Sequence, residues 1–298
     1  MMAGMYAAIS GLDANQEMLN DTANNLANVN TVGYKASNIT FADSLSQILH
    51  GAAAPTATNG GSNPVQIGLG VRVDATRNEM TEGAFQTTGN PLDIAIEGNG
   101  FLRVGAGEPP AKPPYTSGLP AAFSYTRAGD LATDSKGFLT TQDGDYVVGH
   151  NAVPTEGETE TTYTAGKEDT FIMIPPGSTN VAIGQDGSVS YTDNNAESKT
   201  YQQRVVAGYV SLATFPNESG LERIGGSLWS STSNSGSPVV GTPSTAGFGS
   251  TIGGELEMSN VDLATEMTKM ITAERGYQAN SRVISTADTM LETLVQMH

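Results

Sequence analysis

Residues 263–294, LATEMTKMITAERGYQANSRVISTADTMLETL, decide the reading of this chain. Leu263, Met270, Tyr277, Ile284 and Leu291 recur at every seventh position without a break. That spacing keeps them on one stripe of a helix able to wind around a partner. Just upstream, Ser259 and Asp262 match the Asp form of a capping box, and Asp262 and Glu266 suit the positive end of a helix dipole. A helix over 261–297 would extend about 55 Å, far beyond an ordinary globular helix, and so calls for a long partner.

The other end of the chain offers one. Met5, Leu12, Leu19 and Leu26 fall on the same spacing, with Ile9 and Ala23 in part of the companion row. The pattern predicts a helix over 3–28, although Gly4 and Gly11 each cost about 1 kcal/mol relative to Ala. Its polar face carries Asn15, Asn20, Asn24, Asn25, Asn28 and Asn30 where a solvated face would carry Lys and Glu. Uncharged amides suit burial among other chains, since each can both donate and accept. Taken alone, this segment would be read first as an amphipathic helix docked on an ordinary domain, and the asparagine face is what turns the reading toward assembly. Gly33 is placed to adopt the left-handed conformation that closes a helix.

Between the two ends the period becomes two. Residues 37–64 read as weakly structured, with a short helix through Phe41, Leu45, Ile48 and Leu49. Val65, Ile67, Leu69, Val71 and Val73 then alternate, as do Leu92, Ile94 and Ile96 before a turn at 98–100 that leads into Phe101. The five prolines of 108–120 predict an exposed loop, read as an insertion more than as a contact surface. A meander of short strands is expected over 124–140, a polar loop over 150–167, and further strands at 171–174, 181–183, 189–191 and 205–215. The fold class is therefore α+β, with long N- and C-terminal helices in a coiled-coil-like pair and a central, mainly antiparallel β domain. The expected divisions are 1–35 with 255–298 as the helical core, 36–80 as a linking segment, and 81–254 as the β-rich domain.

Composition narrows the function. The chain has 298 residues, 38% hydrophobic and 15% charged, with 35 glycines, a balance usual in turn-dense β proteins. Thirty-one acidic against fourteen basic residues give a net charge of -17. Nucleic acid and anionic membranes both need a cationic surface, so neither is expected as a partner. There is no cysteine, which removes disulfides, thiolate nucleophiles and Cys-based metal sites. No basic-then-apolar secretory signal opens the sequence and no apolar run reaches membrane-spanning length.

No catalytic or cofactor constellation emerges. Gly68-Leu69-Gly70 has Val73 where a dinucleotide loop needs its third glycine, and no helix follows. His50, His150 and His298 stand apart from other ligands and are expected to face solvent. Asp143 with Asp145, and Asp193 beside Asn194 and Asn195, lack the spacing of a calcium loop and read as turns. No cofactor or metal is expected, and the chain is not read as an enzyme. A carbohydrate-binding or carbohydrate-degrading β protein would suit the composition but leaves the paired stripes without a role.

Several motifs resemble one family. NNLANVNTVGYK at 24–35 is similar to the N-terminal signature of the bacterial flagellar rod and hook family. QIGLGV at 66–71, TGNPLDIAIEGNGF at 88–101 and the run from 124 to 140 resemble further family blocks, and GELEMSNVDL at 254–263 with ERGYQANSRVI at 274–284 resembles the C-terminal signature. Asn25, Asn28, Gly33, Tyr34, Asn260, Asp262, Arg275 and Asn280 are the positions these motifs single out. The resemblance implies a self-assembling structural subunit whose terminal helices build the inner tube of a helical homopolymer. A hook subunit in short form, acting as a universal joint, is the leading expectation, and a distal rod subunit, acting as a drive shaft, the alternative. It further implies rod proteins, hook cap, hook-filament junction proteins and the flagellar type III export apparatus as partners. The expected location is the bacterial flagellum, in its hook or basal body, extracellular and reached without a cleavable signal. Because the two stripes have no evident core within the chain, residues 5–26 and 263–294 are expected to be disordered in the monomer and to fold on assembly.

Overall fold

The computed structural model describes residues 2–55, 60–110, 115–156, 161–194 and 201–297, arranged in two compact units. The first unit draws on three separated stretches, Met1–Val29, Ala36–Glu79 and Val261–His298. Two helices dominate it: α1, Met2–Ala27, and α2, Leu263–Gln296. At 1.5 Å per residue the 34 residues of α2 extend about 51 Å. Asp262 is its N-cap, accepting from the Ala264 N–H and the Thr265 hydroxyl, both at 2.9 Å. The cap thus falls on Asp262 itself and not on Ser259, because the shorter Asx geometry already satisfies the first free N–H. Hydrogen bonds from Thr265 and then Ala264 hold the Asp262 carboxyl below the usual carboxylate range.

The linking segment of the first unit is extended. Ser37–Asp43 pairs antiparallel with Val71–Asn78, and Ser46–His50 with Val65–Gly68. The short helix expected through Phe41 and Leu49 is therefore two strands. Its apolar residues can be fitted to a 3.6 period, but Ile39, Thr40, Phe41 and Ile48 are β formers, and cross-strand pairing decides the outcome.

The second unit comprises Asn30–Lys35 and Met80–Asn260. All its strand pairings are antiparallel among the described residues. The main sheet runs Thr179–Ile183, Ser188–Thr192, Arg204–Val210, Tyr146–Glu156, Phe101–Gly105, Ser124–Thr126, Leu228–Ser230 and Glu222–Gly225 in spatial order. Its largest core gathers Ile94, Ile96, Leu102, Leu139, Ile172 and Leu212, and a second forms around Phe101, Phe215 and Trp229. Trp229 is fully buried.

Here one expectation fails clearly. Residues 150–167 read as a polar loop, yet Tyr146–Glu156 and Thr161–Phe171 form an eleven-on-eleven hairpin. Val153, Pro154, Thr164 and Ala165 are exposed as consecutive pairs, so this part of the hairpin shows no apolar alternation, while its Thr and Tyr residues still favour extended backbone. Of the proline-rich stretch 108–120, residues 111–114 lie outside the described residues.

Candidate functional site

The surface with most to say about function is the helix pair. Helices α1 and α2 meet antiparallel, and the seam is made of small and polar residues. On α1 the buried positions are Ala8, Gly11, Ala14, Thr22 and Asn25, and on α2 Glu266 and Ala273. A Cβ on Gly11 would run into the Asn280 amide, and one on Gly276 into the Asn15 amide, so the two backbones approach where glycine permits it. Asn25 is fully buried, donating to Glu266 Oε2 at 3.2 Å and to the Ser37 carbonyl at 2.7 Å, and accepting from the Ser37 N–H at 3.0 Å. Glu266 also accepts from Lys269 at 2.8 Å.

The seven-residue stripes do not form this seam. They flank it: Met5, Leu12, Leu19, Leu26, Met270, Ile284 and Leu291 are half-buried, and Ile9, Leu263 and Tyr277 are exposed. Further apolar side chains on α2, Met267, Ile271, Val283, Met290 and Leu294, are exposed as well. The asparagine face is divided, with Asn15 and Asn25 used inside the chain and Asn20, Asn24 and Asn30 left in solvent. Asn28 folds back on the end of α1, donating to the Asn24 carbonyl at 2.9 Å. Arg275 is exposed and reaches Gln278 at 3.5 Å.

The remaining signature positions converge inside the second unit. Gly33 has φ +65°, but α1 has already ended at Ala27, so this glycine does not cap the helix. Its constraint is space: a Cβ would collide with the backbone at Arg127 and Ala128. The Gly33 N–H donates to the Glu257 carbonyl at 2.8 Å, and the ring of Tyr34 lies 4.6 Å from the Arg223 guanidinium, which also donates to the Lys35 carbonyl. Asn260 donates to the Thr81 hydroxyl at 3.0 Å.

At the centre stands Glu257, with no exposed surface. Its carboxylate accepts from Lys35 Nζ at 2.6 Å, the Gly83 N–H at 3.0 Å and Arg127 Nη1 at 3.2 Å. Arg127 donates in addition to the carbonyls of Ile96 and Gly98, and Lys35 to that of Thr81. Burial lowers the Lys35 pKa despite the attraction of Glu257. One carboxylate thus joins segments from four parts of the sequence. Lys35 and Glu257 are 222 positions apart, and no local pattern signals the pairing.

A third cluster surrounds His150, which is buried, contrary to the solvent-facing position expected. Strand pairing of Tyr146–Glu156 on both sides carries it inward. Arg103 binds Asp169 through two parallel contacts of 2.9 Å, and His150 Nδ1 lies 3.6 Å from the same carboxylate. Burial lowers the His150 pKa, so the ring is neutral at pH 7. The Ser211 hydroxyl is held by Arg103, not by His150, so no activated nucleophile results. Among the described residues no three His, Asp or Glu side chains converge to hold a metal, and no helix is long and apolar enough to cross a membrane.

Comparison with known proteins follows the same signatures. Residues 5–35 match the family described as flagella basal body rod protein, 95–191 the flagellar hook protein FlgE/F/G D1 domain, and 252–297 the flagellar basal body rod FlgEFG protein C-terminal. Over 298 residues the chain is 39% identical to the flagellar basal-body rod protein FlgG of Bacillus subtilis, covering 100% of this chain and 99% of that one. The chain belongs to the flagellar rod and hook family. A second FlgG, from Agrobacterium fabrum, is 36% identical over 97% of both chains. The flagellar hook protein FlgE of Borreliella burgdorferi is 26% identical over an alignment of 453 residues that takes in the whole of both chains. This membership makes the chain a structural component of the flagellum, within the basal body rod and hook, and a contributor to motility. The signature cluster around Glu257 and the helix seam are thus where the rod and hook motifs acquire physical roles.

Proposed function

We propose that this chain is a distal rod subunit of the flagellar basal body, a self-assembling structural protein that serves as a drive shaft. The observation that carries this reading is end-to-end correspondence. Relatives named as rod proteins align with the chain over nearly their full length, whereas the hook relative needs an alignment of 453 residues for the 298 here. The hook assignment expected from the sequence leaned on shared signatures, and those same signatures occur throughout the rod and hook family.

The geometry supports self-assembly with the chain itself as principal partner. After the intrachain seam has formed, apolar side chains remain uncovered along α2, and Leu45, Ile48, Leu49, Val65 and Ile67 are exposed on or beside the strand pair Ser46–His50 and Val65–Gly68. A strand pair clothed in exposed apolar residues is a surface that neighbouring copies cover in a polymer. Repeating one heterologous contact generates an open helical tube. Neighbouring axial proteins and the type III export apparatus complete the proposed partners.

Immunogold labelling of purified hook-basal bodies tests the assignment. Label is expected on the rod, below the hook. Label along the curved hook would overturn the reading in favour of a hook subunit.

A further inference from the structure

The second unit holds a cavity of about 470 Å³ whose walls include Arg103, His150, Gly166, Lys167, Asp169 and Thr242. One wall is an irregularity in the long hairpin. Between the pairs His150–Asp169 and Ala152–Ala165, the strand Thr161–Phe171 carries Gly166, Lys167 and Glu168 against Asn151 alone. Such a bulge takes backbone out of the ladder and re-aims its side chains, and bulges of this kind gather at functional sites. Gly166 is required at this one, because a Cβ would run into the Asn151 amide.

Two of the lining side chains are more than nine-tenths buried and incompletely bonded. Arg103 uses both terminal nitrogens on Asp169 and leaves Nε without a partner. His150 leaves Nδ1 without one, 3.6 Å from the same carboxylate. Buried polar atoms left in this way are uncommon and call for an explanation. Charge points the same way. Arg103 and Lys167 line the cavity with a single carboxylate, Asp169, so a positive charge is left over in a chain of net charge -17. Asp169 is also the partner free to move, since 30% of its side chain is exposed.

We propose that this cavity binds an oxyanion, which takes the Arg103 fork and the Lys167 ammonium while Asp169 turns to a protonated His150 Nδ1. The planar guanidinium fork matches two oxygens of a carboxylate, sulfate or phosphate as well as it matches Asp169. Asp169 thus holds the fork in readiness, and His150 gives the displaced carboxylate somewhere to go. One proton is taken up from solvent at Nδ1 for each oxyanion bound. In the unliganded chain burial holds the His150 pKa below 6.5, opposed by Asp169 and the Glu168 carbonyl and aided by Arg103. Tyr209, paired with His150 from the other neighbouring strand, is uncharged, because burial raises its pKa. Closer approach of Asp169 and withdrawal of the Arg103 charge into the oxyanion both favour the protonated ring, so binding strengthens as pH falls towards the His150 pKa. Every residue involved belongs to the second unit, and the inference stands apart from the assignment to rod or hook.

Histidine NMR of the full chain tests the proposal, since there are only three histidines, His50, His150 and His298, and His150→Gln identifies the signal. Sodium sulfate serves as probe because it keeps its double charge between neutral and mildly acid pH, with sodium chloride at equal ionic strength as control. The His150 signal is expected to shift saturably with sulfate and its pKa to rise by about one unit, while His50 and His298 follow the chloride control. Lys167→Ala should weaken sulfate binding about tenfold, and Asp169→Asn, which removes the competing carboxylate, should strengthen it by a similar factor. No saturable shift at His150, an equal shift at all three histidines, or weaker binding in a folded Asp169→Asn overturns the proposal. Fluorescence of Trp229 reports whether that variant keeps its fold, and should it not, the parent titration and Lys167→Ala decide. The source of the oxyanion is read in the same experiment. A His150 signal that moves with protein concentration before sulfate is added assigns the group to an acidic side chain of a second copy, and one that does not assigns it to a free anion.

Discussion

The two compact units solve the problem of stability in opposite ways. The second buries its large apolar side chains, with Phe101, Leu102, Ile172, Leu212 and Trp229 all essentially without exposed surface. The first buries alanine, glycine, threonine, asparagine and glutamate in its helix seam and leaves Met267, Ile271, Met290 and Leu294 facing outward. A core of the first kind is complete within one chain. A seam of the second kind brings two backbones close at little apolar gain and reserves the apolar surface for something else. The difference teaches that, here, the location of the large hydrophobes marks which unit completes its core within the chain and which leaves apolar side chains uncovered.

That contrast can be broken at three points. The largest effect is expected in the second unit, where Leu212→Ala should lower stability by about 2–5 kcal/mol because a rigid, close-packed core cannot collapse on the cavity. Urea unfolding followed by Trp229 fluorescence measures it, and a loss below about 1 kcal/mol would mean the core is softer than its burial implies. A smaller, pH-dependent effect is expected at the start of α2. The folded Asp262 carboxyl titrates below its usual 3.8, so its contribution is complete above that value and disappears as pH falls through the lowered folded pKa. Asp262→Ala should therefore reduce helix stability at neutral pH and match the parent chain at strongly acid pH, as followed by circular dichroism. The smallest effect on the single chain is expected from Ile271→Asp, within about 0.5 kcal/mol since the side chain already meets solvent. The same change should abolish polymerisation measured by sedimentation. Unimpaired polymers would show that this face of α2 stays in solvent after assembly.

Much of the architecture was legible in the sequence because periodicity reports side chains that are apolar. The stripe from Leu263 to Leu291 located α2, and alternation at Ile94 and Ile96 located a core strand. The same signal misplaced the helix contact by one row. A search for hydrophobic repeats detects leucine and methionine, whereas the contact is made at Gly11, Thr22, Asn25 and Ala273, which carry little hydrophobic signal. The hairpin of Tyr146–Glu156 and Thr161–Phe171 escaped for the corresponding reason, being polar along its outer reach. The Glu257 cluster escaped because its members are brought together only by the completed fold. Asn25, Gly33 and Lys35 stood within a recognisable signature, yet their separate duties, a buried amide, a residue without a side chain and a buried cation, follow from their surroundings alone.

The glycine and asparagine contacts of the helix seam carry one last consequence. Helices separated along such a line expose little new oil to water, so parting them is cheap compared with opening the sheet around Trp229. On warming, the two terminal helices are expected to unravel while the sheet endures, which a loss of helical circular dichroism ahead of any change in Trp229 fluorescence would show.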